Sequence, residues 1–168
     1  MLEVVCNTSP FQYLYQLDLL HILPALSERV VVPPAVVDEL AAGRAWGIQL
    51  PDPATLAWVT LLRPASEPAL PLVNDLGPGE TEVLMLGLER REAVVILDDA
   101  LARRVANTLG LQLTGTLGLL LDAKEAGLVP AIAPLLDQLQ ALRFRVSART
   151  RAAVLALAGE EPGTNEGS

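Results

Sequence analysis

One cysteine, one histidine and one lysine stand in a chain of 168 residues, and each scarcity closes off a chemistry. Cys6 has no partner for an internal disulfide and falls in the apolar run "LEVVC", where a buried structural thiol is expected and a reducing cytoplasm fits. His21, in "DLLHIL", has no companion serine or cysteine motif and reads as a partly buried helix residue. Lys124 is the only lysine among 12 basic residues; all the others are arginine, which suits bidentate phosphate contacts but equally reflects genomic composition. Neither G-x-x-x-x-G-K-[ST] nor G-x-G-x-x-G occurs, and "GPGE" is too short for either phosphate loop. No basic leader opens the chain, since Glu3 comes long before Arg29, the first positive residue; a signal peptide is not expected. The uncharged run from Val105 to Leu121 contains Asn107, Gln112, three threonines and three glycines, so it parses as a helix end, a short strand and a new helix. No membrane partner is expected, and the protein is read as soluble and cytoplasmic.

Positive charge is also short overall. A formal net charge of −8 argues against coating nucleic acid by bulk electrostatics, while leaving room for a local acidic site that works through a bound cation. With 51% hydrophobic residues the chain can bury a sizeable core, and residues 1–158 read as one domain followed by a polar, disordered tail over 159–168.

β-branched runs alternate with helical stretches. "LEVVC" (2–6), "RVVVPP" (29–34), "AVVIL" (93–97) and "LQL" (111–113) read as strands. Helical material follows over 10–24, over "PAVVDELAAG" with Gly43 closing it, from Glu80 to about Arg91, over 99–110, from Thr116 to Gly127, from Pro130 or Pro134 to about Leu142, and over 148–158. "LAWVTLL" (56–62) reads as strand or short helix, and "FRVS" (144–147) as an edge strand. This alternation, with apolar runs lacking strict period-two patterning, predicts an α/β fold on a mainly parallel sheet covered on both faces. Ligands of such sheets bind beyond the carboxyl ends of the strands.

Polar residues sit at those ends: Asn7, Thr8 and Ser9 after the first strand, Asp98 and Asp99 after "AVVIL", Thr114 and Thr116 after "LQL". Glu39 and Glu80, on helices, are placed to join them. Neighbouring carboxylates repel unless a cation neutralises them, and oxygen ligands without a His or Cys cluster select Mg2+ or Mn2+. Each residue also has a plain structural role: Asp98 or Asp99 as a helix cap, Glu39 and Glu82 on solvated faces, Glu80 against a helix dipole, the hydroxyls as caps, and Arg103 paired with Asp99 one helical turn earlier. A receiver domain or an aspartyl-phosphate phosphatase would need an acid after the first strand, where Asn7 stands.

"VVCNTSPFQYLYQLDLLHIL", "VVVPPAVVDEL", "LGPGETEVLMLGLE", "VVILDDALARRVANTLGLQLTGTLGLLLDAKEAGLVP" and "ALRFRVS" together resemble, in this order over residues 2–158, a prokaryotic subfamily of PIN-domain proteins related to VapC-type toxins. The resemblance implies a three-layer α/β/α sandwich and an acidic crevice holding Mg2+ or Mn2+. It also implies endoribonuclease activity, commonly as the toxin of a type II toxin–antitoxin pair: an RNA substrate, a cognate antitoxin and often a homodimer. Carried over by motif, the acidic positions fall on Asn7, Glu39, Glu80 and Asp98 or Asp99. Asn7 departs from the usual Asp, though "NTSP" looks like a variant within the subfamily; its amide oxygen can ligate a hard cation but supplies no charge, so weaker metal affinity is expected. In this reading Glu39, Glu80, Asp98 and Asp99 are catalytic, Ser9 and Thr116 position water or a phosphate oxygen, and Arg103, Arg104, Arg143, Arg145, Arg149 and Arg151 meet phosphates. Two other readings share the sequence. One is a catalytically weakened PIN-fold module that binds RNA or protein. The other is a protein-binding component using the Pro-rich 51–78 segment with Trp46 and Trp58 nearby, residues otherwise expected in the core.

Overall fold

The computed structural model describes residues 1–66 and 75–160. The chain divides into two compact units, Met1–Thr116 and Leu117–Ser168.

In the first unit, strands β1 (Glu3–Cys6), β2 (Arg29–Val32), β3 (Val59–Leu61), β4 (Val94–Ile96) and β5 (Gln112–Thr114) form a five-stranded sheet in the order β3-β2-β1-β4-β5. All four pairings are parallel, so the expected parallel α/β fold is what the chain adopts. The strands are parallel because a helix intervenes between successive ones. Helices α1 (Thr8–Gln16) and α2 (Ile22–Leu26) separate β1 from β2, α3 (Pro34–Ala45) lies before β3, α4 (Pro78–Glu89) before β4 and α5 (Ala100–Thr108) before β5. The apolar runs sit in the middle: Val4, Val5 and Cys6 of β1, Val31 and Val32 of β2, and Val95 and Ile96 of β4 are all fully buried. Chain order runs outward from β1 through β2 to β3, then returns to the other flank of β1 with β4. The switch point therefore lies between β1 and β4, where a crevice opens beyond the strand ends.

Several boundaries differ from the sequence expectation for identifiable reasons. The helical material of 10–24 is two helices, separated where Asp18 takes φ 57. His21 is exposed at the start of α2 rather than partly buried. Gly43 does not end α3. A Cβ there would lie 2.5 Å from Leu50 Cδ1, so the glycine admits Leu50, and the turn comes at Gly47 with φ +87. Beyond it, Trp46 is 87% exposed and is not a core residue, whereas half-buried Trp58 meets the buried Phe11 with ring centroids 6.2 Å apart. "LAWVTLL" resolves into β3, a sheet edge, and residues 67–74 of the Pro-rich stretch lie outside the described residues. Below the strands, Glu3 ties the start of β1 to Arg90 just after α4 by a two-pronged ion pair, with Arg90 Nη2 donating to Glu3 Oε2 at 2.8 Å.

The second unit contains α6 (Thr116–Glu125), which begins at the last residue of the first, followed by α7 (Ala133–Ala141) and α8 (Ala148–Leu157). "FRVS" is not a strand. Arg143 turns the chain at φ 68 and Ser147 is taken up as the cap of α8, accepting from the Thr150 amide at 3.0 Å, so the segment joins no sheet. Gly159 and Glu160 fall in the expected disordered tail, yet Glu160 is held firmly; 161–168 lie outside the described residues. Its carboxylate accepts from Lys124 Nζ at 2.8 Å and from the backbone amides of Ile132 and Ala133 at 2.7 and 3.1 Å, which closes the start of α7. Among the described residues no helix is long and apolar enough to cross a membrane.

The Lys124 ammonium and these amides hold Glu160 down at a pKa of about 2. A depressed carboxylate stabilises only while charged, so its contribution is complete above the range of an ordinary glutamate and is lost as pH falls through the folded value. Glu160→Ala should therefore lower the unfolding free energy by about 2 kcal/mol at pH 7, with a distinctly smaller gap at pH 3. Denaturant titrations at the two pH values check this; equal gaps would contradict it.

Candidate active site

β1 and β4 run in register, with Cys6 opposite Ile96, and the ladder continues one step further as the Asn7 amide donates to the Ile96 carbonyl at 3.2 Å. On the far side the Leu97 amide donates to the Thr114 carbonyl at 3.0 Å. These bonds carry Asn7, Asp98 and Thr116 to the same end of the sheet.

Asp98 is the best-held acid of the crevice. It accepts from the Thr116 amide at 2.8 Å, from Thr116 Oγ1 at 2.6 Å and from Ser9 Oγ at 3.4 Å. Burial pushes its pKa up, opposed by the Thr116 hydroxyl and amide, the Arg103 guanidinium and Ser9. Asp99, one residue on, spends Oδ2 on its own helix, accepting from the Ala102 amide at 2.9 Å as the cap of α5, while its charge acts on Glu80. The two acids thus take different partners, Asp98 the Thr116 and Ser9 donors and Asp99 the first turn of α5. Arg103 forms no ion pair with Asp99. Nη1 donates to the Leu97 carbonyl at 2.8 Å, and its charge acts on Asp98.

The glutamates are set by α3 and α4. Neither helix has a side-chain cap at its own N-cap residue, because those residues are Pro33 and Gly77. Each borrows a carboxylate. Glu39 of α3 accepts from the Gly79 amide of α4 at 2.9 Å, while Glu82 of α4 accepts from the Ala35 amide of α3 at 2.7 Å. Glu82 is therefore not on a solvated face, as expected from sequence, but reaches across to the neighbouring helix. Glu80 turns back on its own helix and accepts from the Gly77 amide at 2.7 Å. Glu39 also accepts from Thr8 Oγ1. The two glutamates lie close: a Cβ built on Gly77 would stand 3.3 Å from Glu80 Oε2 and 3.9 Å from Glu39 Oε1. Burial raises the Glu80 pKa, partly offset by the Gly77 amide, and the charges of Asp99 and Glu39 add to the rise.

Thr8, Ser9 and Thr116 thus serve carboxylates rather than simply capping helices. Thr114 stays in β5 as its last residue. Asn7 caps α1 by position without a side-chain hydrogen bond. It is buried, and its Oδ1 is the one buried side-chain polar atom among the described residues without a partner. An orphaned amide oxygen is costly unless something binds it. Among the described residues no three His, Cys, Asp or Glu side chains form a ready cluster for a metal ion. The available donors are nonetheless all oxygen, and with the unmet Asn7 Oδ1 they fit a hard divalent cation.

Two contributors escaped the sequence reading. Glu82 is one; the other is Tyr13, four residues after Ser9 on α1, whose hydroxyl pKa is raised by burial and by the charge of Asp98. The i,i+4 spacing of Ser9 and Tyr13 was the available signal. The Asp98 charge also adds to the burial that raises the thiol pKa of Cys6, an inert buried group.

A parallel sheet with an amide, hydroxyls and carboxylates converging beyond β1 and β4 defines an α/β protein with an acidic crevice at its switch point. The chain belongs to the PIN-domain family, whose family model matches residues 3–160. PIN domains are typically nucleases and usually use divalent metal ions. A PilT N-terminus domain protein from the hyperthermophilic archaeon Sulfolobus solfataricus P2 has the same fold, with a TM-score of 0.53 and 21% identity over 73% of this chain and 93% of that one. No curated protein matches the chain.

Gly115 makes room for this site. A Cβ there would fall 2.8 Å from Arg103 Nη1, 2.9 Å from Asp98 Oδ1 and 3.2 Å from the Leu97 carbonyl oxygen. Since one of these is backbone, Gly115→Ala should cost about 1–3 kcal/mol, read as a lowered midpoint in denaturant. Glu82→Ala strips the borrowed cap from α3 and should cost about 1 kcal/mol by the same measurement; no loss would show that the Ala35 amide finds water instead.

Proposed function

We propose that this protein is a Mg2+- or Mn2+-dependent endoribonuclease, the toxin of a type II toxin–antitoxin pair of VapC-related type, acting in the cytoplasm as a homodimer and restrained by a cognate antitoxin. The observation that carries the metal site is the buried, unpartnered Asn7 Oδ1 at the strand ends that also bear Asp98 and Thr116. Asn7, Glu39, Glu80, Asp98 and Asp99 would hold the cation, which supplies Lewis acidity at the scissile phosphate and favours hydroxide over water.

The chain's own groups prepare the rest. Thr116 and Ser9 fix the Asp98 carboxylate, Thr8 and the Gly79 amide fix Glu39, and the Thr116 hydroxyl and amide, joined by Arg103, oppose the burial that raises the Asp98 pKa. Glu80 has Oε2 anchored on the Gly77 amide, which would leave Oε1 as its oxygen for the cation. Arg103, Ser9 and Thr116 also border the crevice in which a phosphate oxygen would be oriented.

The substitution of Asn for Asp at position 7, with every carboxylate already engaged, supports a second reading: a PIN-fold module that binds RNA or protein without cutting. Calorimetric titration with Mn2+ separates the two, because a binding-only module has no millimolar-or-better site.

Asp98→Asn is the decisive variant. A carboxyl whose folded pKa is raised binds its proton more tightly in the folded chain, so stability falls as pH rises from the ordinary aspartate range through that raised value. A neutral amide removes that cost. The variant should be at least as stable as the parent at neutral pH, yet lose Mn2+-dependent cleavage of a mixed RNA set by 100-fold or more, on the order expected for a group that supports the reacting charge. EDTA should abolish the parent's activity. Cleavage that persists in the variant, with contaminating nuclease excluded, rules out the site.

A further inference from the structure

One stretch of the second unit carries charge of the opposite sign to the chain as a whole. Between Asp137 and Glu160 there is no Asp or Glu, but there are four arginines, 143, 145, 149 and 151, in a protein of net charge −8. Arg143, Arg145 and Arg149 are exposed, and among the described residues none of the three pairs with a carboxylate. Arg151 is different: it bonds Asp137 Oδ1 at 2.8 Å and Gln140 Oε1 at 3.3 Å, which makes it a structural tie between α7 and α8.

Two of the three unpaired arginines stand where local preference is against them. Arg143 sits at φ 68, the left-handed region where glycine or asparagine would be cheaper. Arg149 lies in the first turn of α8, which has no acidic residue and whose positive dipole end disfavours a cation. Local preference is broken twice within seven residues with no compensating contact, a pattern expected where function sets the sequence.

We propose that Arg143, Arg145 and Arg149 form a surface that holds the phosphate backbone of single-stranded RNA, so that the second unit contributes substrate binding. The guanidinium forks grip phosphate oxygens in pairs without reading bases. This extends the proposed ribonuclease function and rests on its assignment of RNA as the substrate.

The test measures anisotropy of a labelled single-stranded RNA with the full-length protein in EDTA, so that neither metal nor cleavage enters, across a range of salt. Arg143→Ala/Arg145→Ala/Arg149→Ala should weaken binding at least tenfold at low salt and flatten the slope of log K against log salt by about 2, at ~0.7 per lost phosphate contact. The triple lysine variant should keep most of the slope. An alanine variant with unchanged affinity and slope overturns the surface, as does an acidic peptide that displaces the RNA at equal charge concentration, which would point to a protein partner instead. The two proposals fail separately. Arginine-dependent RNA binding without Mn2+-dependent cleavage leaves the surface standing and removes the nuclease, whereas cleavage with arginine-independent binding does the reverse.

Discussion

Two helices whose N-cap residues carry no side-chain acceptor exchange carboxylates. Proline at the start of α3 and glycine at the start of α4 supply no side-chain acceptor, so the exposed amides of each first turn must be met from elsewhere. Glu39 and Glu82 meet them across the interface. Because the exchange is mutual, neither helix can slide or rotate without releasing a carboxylate on the other. The positions of Glu39 and Glu80 over the strand ends follow from that lock. Thr8 then joins the lock to the end of β1, and the site becomes continuous with the sheet.

The broad architecture was readable because it depends on patterns that survive in one dimension. Apolar β-branched runs such as "EVVC" and "AVVIL" announce buried parallel strands, and the polar residues just after them announce what the strand ends present. The mutual capping was not readable. It depends on which face of α4 meets α3, and Glu82 looks like any surface glutamate until that pairing is known. Gly43 misled for a related reason: glycine serves both to end helices and to admit close neighbours, and here Leu50 is the neighbour. "FRVS" has strand composition, but a strand needs a partner edge, and the turn at Arg143 with the cap at Ser147 gives its ends other work. Asp98 and Asp99 are told apart only by where the ladder stops, a one-residue matter beyond the reach of propensity.

The crevice is electrostatically unusual in how it manages its acids. Each carboxylate has a donor of its own: an amide for Glu80 and Asp99, an amide and a hydroxyl for Glu39, an amide and two hydroxyls for Asp98. Hydrogen bonds to the charged form lower a carboxyl pKa and oppose repulsion and burial. Here they do not fully offset them, since Asp98 and Glu80 still hold their protons more tightly than free side chains do. A cation binding here would compete with those protons as pH falls and with the hydrogen bonds at any pH.

Asn7 belongs to the same balance. An aspartate in its place would add a charge at the end of β1, on a buried side chain with no hydrogen-bond partner for its oxygen. Without a cation that charge would be uncompensated and expensive; the amide avoids the cost and leaves a neutral acceptor unmet. The substitution thus trades attraction for a cation against stability of the empty crevice. Under the proposed function such a trade would lower the occupancy of the site at a given metal concentration, while the orientation of Asp98, Glu39 and Glu80 stays as it is, because none of their hydrogen bonds runs through Asn7. In the proposed function, position 7 would therefore govern how often the site is loaded, and the locked carboxylates what a loaded site could do.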